Sequence, residues 1–403
     1  MRVAYVVSRF PVVTETFVVR ELGAVDADPG VDIELFALFP PQQAFVHPSA
    51  ERWVPRAHQP DPAAAVRGSL WWLARAPHRV AGVVGAIVAG YWRSPKRLVK
   101  SLVTLPVALG HARRMRALGV DHIHAHFANF PALAAWICAR LLGVPYSVTA
   151  HAHDIFVDQS NLGRLVDDAA FFVGITEYNR AFLTARSSGR TPIEIVHCGV
   201  DTESLGYVER RLEPTGPVRA VCTASLQRQK GHLVLFDALA APLPGLDRIQ
   251  LRLIGSGPME AALRERAAEL GLGARVTFLG TLDEAGVAAE LAAADLFVLP
   301  SVVAPDGQME GLPVSLMEAL AVGLPAIGTS LSGIPELLRR DATCLLATPG
   351  DADSLAAALA SVLDDPDAAQ RRAAAGRALI EDSFRIEVSG ARLAELFKGA
   401  GPR

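Results

Sequence analysis

Two glutamates, Glu310 and Glu318, lie in the stretch Met309–Pro325, which reads as a loop running into a helix. The apolar run Asp295–Ser301 ahead of it has the form of a buried strand that stops at Pro300. Pro313 suits the first helical position, Val314–Val322 is helical in pattern, and Gly323 ends it. This places Glu310 just before the helix and Glu318 about two turns inside, with unpaired backbone N–H groups from Gly311 and Leu312 onward between them. A helix start favours an anion, because those N–H groups and the helix dipole act together. The carboxylates favour the opposite kind of partner, a hydroxyl. A unit able to hold phosphate by backbone and hydroxyls by carboxylate suits a sugar nucleotide. The plainer alternative is a pair of glutamates on a solvated helix face.

Three further clusters carry chemistry. Ser225–Gly231 follows the apolar strand Val218–Thr223, so Arg228 and Lys230 stand at that strand's carboxyl end, where Lys230 could neutralise a pyrophosphate. The turn Gly255–Pro258 follows the strand Arg248–Ile254, and Gly255 and Gly257 would let the backbone approach a ligand closely. It lacks the GxGxxG spacing, which argues against a nicotinamide enzyme. His124, His126, His151 and His153 end two successive strands, with Asp154 beside them. The acidic ligands and helical i, i+4 spacing of a metal-hydrolase site are missing there. Imidazoles that donate hydrogen bonds to sugar hydroxyls, with Asp154 orienting them or fixing substrate, fit better. No Ser/His/Asp nucleophile arrangement is visible.

The elements that must position these groups alternate. Strands are expected over 2–7, 31–39, 122–127, 145–149, 171–174 and 193–197, separated by helices; Thr14 or Thr16 could cap the first helix. Residues 62–118 suggest two or three helices broken near Pro77 and Pro95. Residues 202–216, with charges, a proline and glycines, form the best linker. Strands at 218–223, 248–254, 276–278, 296–299 and 326–328 then restart the pattern. Alternation of this kind means a parallel sheet with helices on both faces. Its repetition predicts an α/β chain of two doubly wound, Rossmann-like domains facing one another across a cleft, with ligands at the carboxyl ends of strands.

Composition agrees. The chain has 403 residues, long for one core, and a net charge of −3. Its four cysteines are far apart, which argues against a disulfide or metal framework and suits a reducing cytoplasm. The opening reads as a strand, with no signal peptide. Val80–Trp92, the most apolar run, is too short to span a bilayer. The near-neutral total hides a segregation: residues 62–120 contain no Asp or Glu but ten Lys or Arg, with Trp71, Trp72 and Trp92 among them. Scattered arginines on core helices would not exclude acids so completely. Aromatic, basic helices without a nucleic-acid motif suit an anionic membrane surface better than nucleic acid.

With these residues in place, the chain resembles the retaining GT-B glycosyltransferases of family 4, within it the bacterial exopolysaccharide and capsule-type branch. The resemblance covers almost the whole length. It is carried by Ser8–Pro11 with Glu15–Phe17, His124–Phe127, Thr149–Asp154, His197–Asp201, Lys230–Gly231, Ile254–Pro258, Leu299–Ser301, Glu310 through Glu318, and Gly333–Glu336. It implies an acceptor-side domain over 1–205, a nucleotide-sugar domain over 206–382, and a terminal helix over 383–403 that packs back on the first domain. The family's paired glutamates map onto Glu310, facing the donor sugar and reacting centre, and Glu318, accepting from ribose hydroxyls. Lys230 would bind the pyrophosphate with N–H groups of Gly311 and Leu312, and His151 would sit over the donor sugar. Gly255, Gly257 and Leu282 would line the donor site, and base recognition would use backbone around Gly280–Leu282. Arg9, Glu15, Thr16, His126 and Asp154 would lie on the acceptor side. The family usually has an arginine where this chain has Ser225; Arg228 in the same turn is the candidate replacement.

The resemblance implies a metal-independent, hexosyltransferase-type enzyme with no cofactor. It would move a sugar with retention from a nucleotide donor, UDP-linked by family frequency, to a hydroxyl. The departing phosphate oxygen can take the acceptor's proton, so no separate base is required. A lipid-linked saccharide at the inner membrane face is the expected acceptor, the protein being cytoplasmic and peripheral. The alternatives are a soluble tailoring transferase for a small natural product and a catalytically silent sugar-nucleotide-binding scaffold.

Overall fold

A computed structural model describes residues 1–12, 15–41, 48–157, 159–210, 213, 215–339 and 342–400. The chain divides into two units, Met1–His197 with Ile386–Arg403, and Cys198–Arg385. Among the described residues the first unit holds seven parallel strands: β1 (Arg2–Arg9), β2 (Asp32–Phe39), β3 (Ala57–His58), β4 (His122–His126), β5 (Tyr146–Ala150), β6 (Phe171–Gly174) and β7 (Ile193–Ile195). Their order is β3-β2-β1-β4-β5-β6-β7. Helices cover both faces, so Val3–Val7 of β1 are buried without a break. The second unit holds β8 (Val218–Thr223), β9 (Ile249–Ile254), β10 (Val276–Gly280), β11 (Leu296–Val298), β12 (Ala326–Thr329) and β13 (Leu345–Ala347), ordered β10-β9-β8-β11-β12-β13. Two doubly wound parallel sheets are therefore present, as the alternation requires.

Each order reverses once, at β1/β4 in the first sheet and at β8/β11 in the second. Loops leaving the two central strands there run to opposite sides, which opens a crevice at the carboxyl ends. Arg9, His126 and Phe127 stand at the first switch point. Ser225–Gly231 and the loop from Leu299 to Pro313 stand at the second.

Several local expectations change. Pro313 is the extended N-cap residue rather than the first helical one, and the helix is Val314–Ala321, so Glu318 lies only about one turn inside. Thr16 is the first residue of the helix Thr16–Asp26, whose N-cap position is taken by Glu15 with no side-chain cap bond; Thr14 lies outside the described residues. β3 and β13, of two and three residues, were not expected. The basic segment forms three helices, Pro62–Arg75, Pro77–Tyr91 and Pro95–Leu118, each starting with a proline whose fixed φ suits a first turn.

The helix Ile386–Gly399 belongs to the first unit. Its Leu393, Ala394 and Phe397 are buried with Val3, Leu22 and Leu35 in one core. It crosses the Thr16–Asp26 helix closely at Gly390, where a side chain would meet Ala24. Lys398 closes the contact with an ion pair to Asp28 at 2.7 Å.

Candidate functional site

In the second unit the switch point is built by loops that lock one another. Leu226 N–H donates to Ser256 O at 3.0 Å and Val302 N–H to Gln229 O at 2.9 Å. This ties the Ser225–Gly231 loop to the Gly255–Pro258 turn on one side and to the Ser301–Gly311 loop on the other. Gly231 makes the second junction possible. It has φ +72°, and a Cβ there would lie 1.8 Å from Pro300 O. Gly255 and Gly257 likewise permit a close approach, but to the protein's own backbone: a Cβ on either would strike Ala224 O or Leu226 O. Their necessity is thus explained by loop packing, whereas the sequence suggested approach to a ligand.

The two sides of this junction bring together charges eighty residues apart. The Lys230 ammonium donates to the Glu310 carboxylate in an ion pair whose side chains are 17% and 16% exposed. The sequence assigned these residues to phosphate and sugar separately, without their direct pairing. Glu310 leads through buried Gly311, Leu312 and Pro313 into the helix that carries Glu318, which is 8% exposed. Ser225 is half-buried at the loop's start, and Leu282 is half-buried just before the helix Glu284–Ala292. Arg228 does not join Lys230. It is exposed and lines a cavity of about 160 Å³ with Gln227, Val303 and Pro305, a cavity that Lys230 does not line. The short 3-10 turn Arg228–Lys230 explains this, because at three residues per turn positions two apart point to different sides.

In the first unit, β1, β4, β5 and the Thr16–Asp26 helix gather a second set. Arg9 is tied down, its guanidinium donating to Pro40 O and lying 5.2 Å from the Phe39 ring centroid. Glu15 is half-buried, and desolvation pushes its carboxyl up to about 7 against the opposing influence of His126. Both its ionised and its protonated forms are therefore accessible near neutral pH. Phe127, directly after β4, has φ +77°, a conformation costly for an aromatic residue and typical of functional sites. The His151 ring lies 4.8 Å from the ring centroids of both Phe17 and Phe127.

His126 and Asp154 are not placed to touch a ligand directly. His126 is fully buried, with Nε2 2.9 Å from Glu21 Oε1 and Nδ1 3.2 Å from His151 Nε2. Asp154 is buried and accepts from Ala128 N–H at 2.7 Å and His151 N–H at 3.1 Å, so it orients the two loops. His124 is fully buried, with Nδ1 2.8 Å from Ser147 Oγ and Nε2 3.0 Å from Thr149 Oγ1. Burial drives the pKa of His124 and His151 well below the ordinary histidine value.

Glu21 was missed by sequence reasoning. Next to Arg20 on an amphipathic helix, it has the look of a solvent-face residue. Among the described residues, Glu21, His124 and His126 form a group of metal-ligating types with ligand atoms within 4.8 Å. Both ring nitrogens of each histidine are already engaged in the contacts above, which accounts for the group as a hydrogen-bond network.

Comparison with known proteins agrees with the two-domain fold. The model of Glycosyltransferase Family 4 matches residues 17–204, and that of Glycosyl transferases group 1 matches residues 207–379. The amylovoran biosynthesis glycosyltransferase AmsK of Erwinia amylovora is 26% identical over 99% of this chain and 99% of its own length. A GDP-mannose-dependent alpha-(1-6)-phosphatidylinositol monomannoside mannosyltransferase of Mycobacterium tuberculosis is 28% identical over 78% of this chain and 85% of its own. Among solved structures, Anabaena HepE in complex with UDP superposes with a TM-score of 0.73 at 18% identity, over 99% of this chain and 100% of that one.

Proposed function

We propose that this chain, which belongs to the GT-B glycosyltransferases of family 4, is a retaining glycosyltransferase that moves a sugar from a UDP-sugar to a lipid-linked saccharide hydroxyl. The chain is a glycosyltransferase related to enzymes of exopolysaccharide and glycolipid synthesis. The observation that carries the finer reading is the Lys230–Glu310 pair at the second switch point. A sugar–phosphate linkage needs a cation beside its phosphate and a carboxylate beside its sugar, adjacent to one another. Lys230 and the N–H groups at Gly311 and Leu312 stabilise the departing diphosphate, Glu310 faces the sugar, and Glu318 accepts from the ribose. The departing phosphate oxygen takes the acceptor's proton as the hydroxyl attacks from the same face, with neither metal nor cofactor.

A thermal-shift screen of UDP, GDP and their sugars tests this. The cognate diphosphate at a hundred times its Kd is expected to stabilise the protein by about 2.7 kcal/mol, and Lys230→Ala to remove most of the shift. No shift with any diphosphate, together with no release of nucleotide from any donor, would sink the proposal. A larger shift with GDP than with UDP would change the donor.

The acceptor side is supported by the basic helices. Nine of their ten cations are exposed, Arg97 being half-buried. Val66, Leu70 and Leu73 form an apolar stripe on Pro62–Arg75, exposed by 60%, 63% and 51%. Trp92 and Val103 on the neighbouring segments are exposed by 61% and 64%. No helix among the described residues is long and apolar enough to cross a membrane. Apolar stripes on helices whose charged residues are all cations match an anionic bilayer surface, where each nearby cation contributes about 1 kcal/mol. The protein is expected to float with phosphatidylglycerol-containing liposomes at low salt and to be released at about 0.5 M salt, where screening is short-ranged. Its remaining at the bottom of the gradient at low salt would rule out a peripheral membrane role.

A further inference from the structure

At the edge of the first sheet, beside the carboxyl ends of β2 and β3, lies a cavity of about 350 Å³ that neither switch point uses. Its size is that of a small-molecule site. It exists because the Pro62–Arg75 and Pro95–Leu118 helices cross in backbone contact. A Cβ on Gly68 would lie 2.6 Å from Gly110 Cα, and one on Gly110 3.0 Å from Ala65 Cα. Ala64, Ala65, Val107 and Gly110 then form part of the wall, and side chains so short leave the space beside the crossing open. The His58 part of the wall is fixed as well. Its ring stacks on Phe36 at 4.5 Å, with Nε2 2.8 Å from Glu34 Oε2.

Three polar groups on the lining have hydrogen-bonding capacity left over. His111 is 7% exposed, and its Nε2 lies 2.8 Å from Ala37 O. A carbonyl only accepts, so Nε2 carries the hydrogen. Burial, outweighing that bond, lowers the His111 pKa to about 4, so the ring is neutral near pH 7 and Nδ1 is an acceptor. Nδ1 has no partner among the described residues and is not sealed from water, so it opens on the cavity that His111 lines. Gln59 repeats the pattern. Its Nε2 donates to Phe10 O at 2.9 Å, again a carbonyl, which leaves Oε1 as a second acceptor. Arg114 is exposed, and its guanidinium makes no hydrogen bond or ion pair among the described residues.

Two neutral acceptors and one cationic donor select a particular chemistry. An anion such as phosphate needs donors, and here it meets a lone pair and an amide oxygen. A cation is repelled by Arg114. A neutral vicinal diol suits all three groups, because a hydroxyl can donate to an acceptor and accept from the guanidinium at once. We propose that this cavity is a saccharide-binding site, seating one sugar residue whose hydroxyls donate to His111 Nδ1 and Gln59 Oε1 and accept from Arg114. The site goes beyond the transfer centre. It lies wholly in the first unit, so it stands apart from the Lys230–Glu310 reading.

The test uses the full chain labelled with 15N-histidine and the methyl glycosides of glucose, galactose, mannose and fucose, with inorganic phosphate as the anionic probe. At least one glycoside is expected to shift the His111 Nδ1 resonance saturably, with a Kd of about 1–10 mM, and phosphate to leave it in place. Arg114→Ala, at an exposed position, is expected to weaken that Kd by about threefold to tenfold, the loss of one hydrogen bond. Ala64→Leu, which fills the cavity, is expected to abolish the shift, and Lys230→Ala to leave it unchanged. No saturable shift with any of the four glycosides, or a shift with phosphate alone, would overturn the proposal whether or not the variants fold. So would an unchanged Kd in both Arg114→Ala and Ala64→Leu, which would place the sugar elsewhere. Either failure leaves nucleotide binding at Lys230 untouched and is thereby distinct from failure of the transfer reading.

Discussion

Glu310→Gln is expected to lower kcat by about a hundredfold to a thousandfold, the loss seen when one preorganised group facing developing charge is removed. The donor KM should change little. Glu310 ends the Ser301–Gly311 loop, and its carboxylate is held by Lys230, so it is fixed before a sugar arrives. The amide keeps the shape of the side chain and loses the charge that, on the proposed mechanism, faces an oxocarbenium-like centre. Glu318→Ala is expected to act differently. Its carboxylate lies inside the helix Val314–Ala321, 8% exposed, and its proposed hydroxyl partners belong to the nucleotide in ground and transition state alike. Hydrogen bonds to a charged group contribute about 1.5–3 kcal/mol, so nucleotide Kd and donor KM should rise by roughly tenfold to a hundredfold with kcat less affected. Steady-state kinetics with a nucleotide-binding titration separate the two. The reverse pattern would mean that the sugar and ribose assignments are exchanged.

Gly231→Ala is expected to destabilise the second unit by about 3 kcal/mol or more, from two sources. Its φ of +72° costs an L-residue about 1–2 kcal/mol. In addition, the new methyl would lie 1.8 Å from Pro300 O, a backbone atom that cannot turn away. The loop after β11 must then move, and it carries Val302 and Glu310. For a unit of this size, Tm should fall by roughly 6–12 °C, and activity should fall further than stability because the Lys230–Glu310 pair is pulled apart. Gly271→Ala is the control, since Gly271 has a similar φ of +69° with no atom within 4 Å of the added Cβ. Equal losses in the two variants would show that the close approach to Pro300 is unimportant.

What could be read from the sequence follows a physical division. Order and type of the main elements were legible because their strands are apolar runs bounded by turn residues and their helices carry a period of their own. The Glu310–Glu318 unit was legible for the same reason: it is one continuous loop and helix. The helix start was misplaced at Pro313, since the ring fixes φ at −72°, which suits a helix, while its ψ of 116° is extended and is not set by residue type. β3, of only two residues, and β13 were not legible.

Lateral neighbours are another matter, because a parallel sheet pairs strands across long crossovers. Only the order β3-β2-β1-β4 sets Val6 of β1 beside Ala125 of β4. That pairing buries His126 and turns Glu21 from an apparent surface residue into its partner. Only the adjacency of β8 and β11 carries Lys230 to Glu310. Turns two residues apart decide the rest: Lys230 faces the carboxylate, while Arg228, similar in charge and almost adjacent in sequence, faces the cavity by Val303. By itself the sequence determined two doubly wound sheets and the residue types available at their strand ends. The tertiary structure decided which of those ends share a switch point, and hence which charges and imidazoles meet, since that depends on strand order and local backbone rotation that no residue type encodes alone.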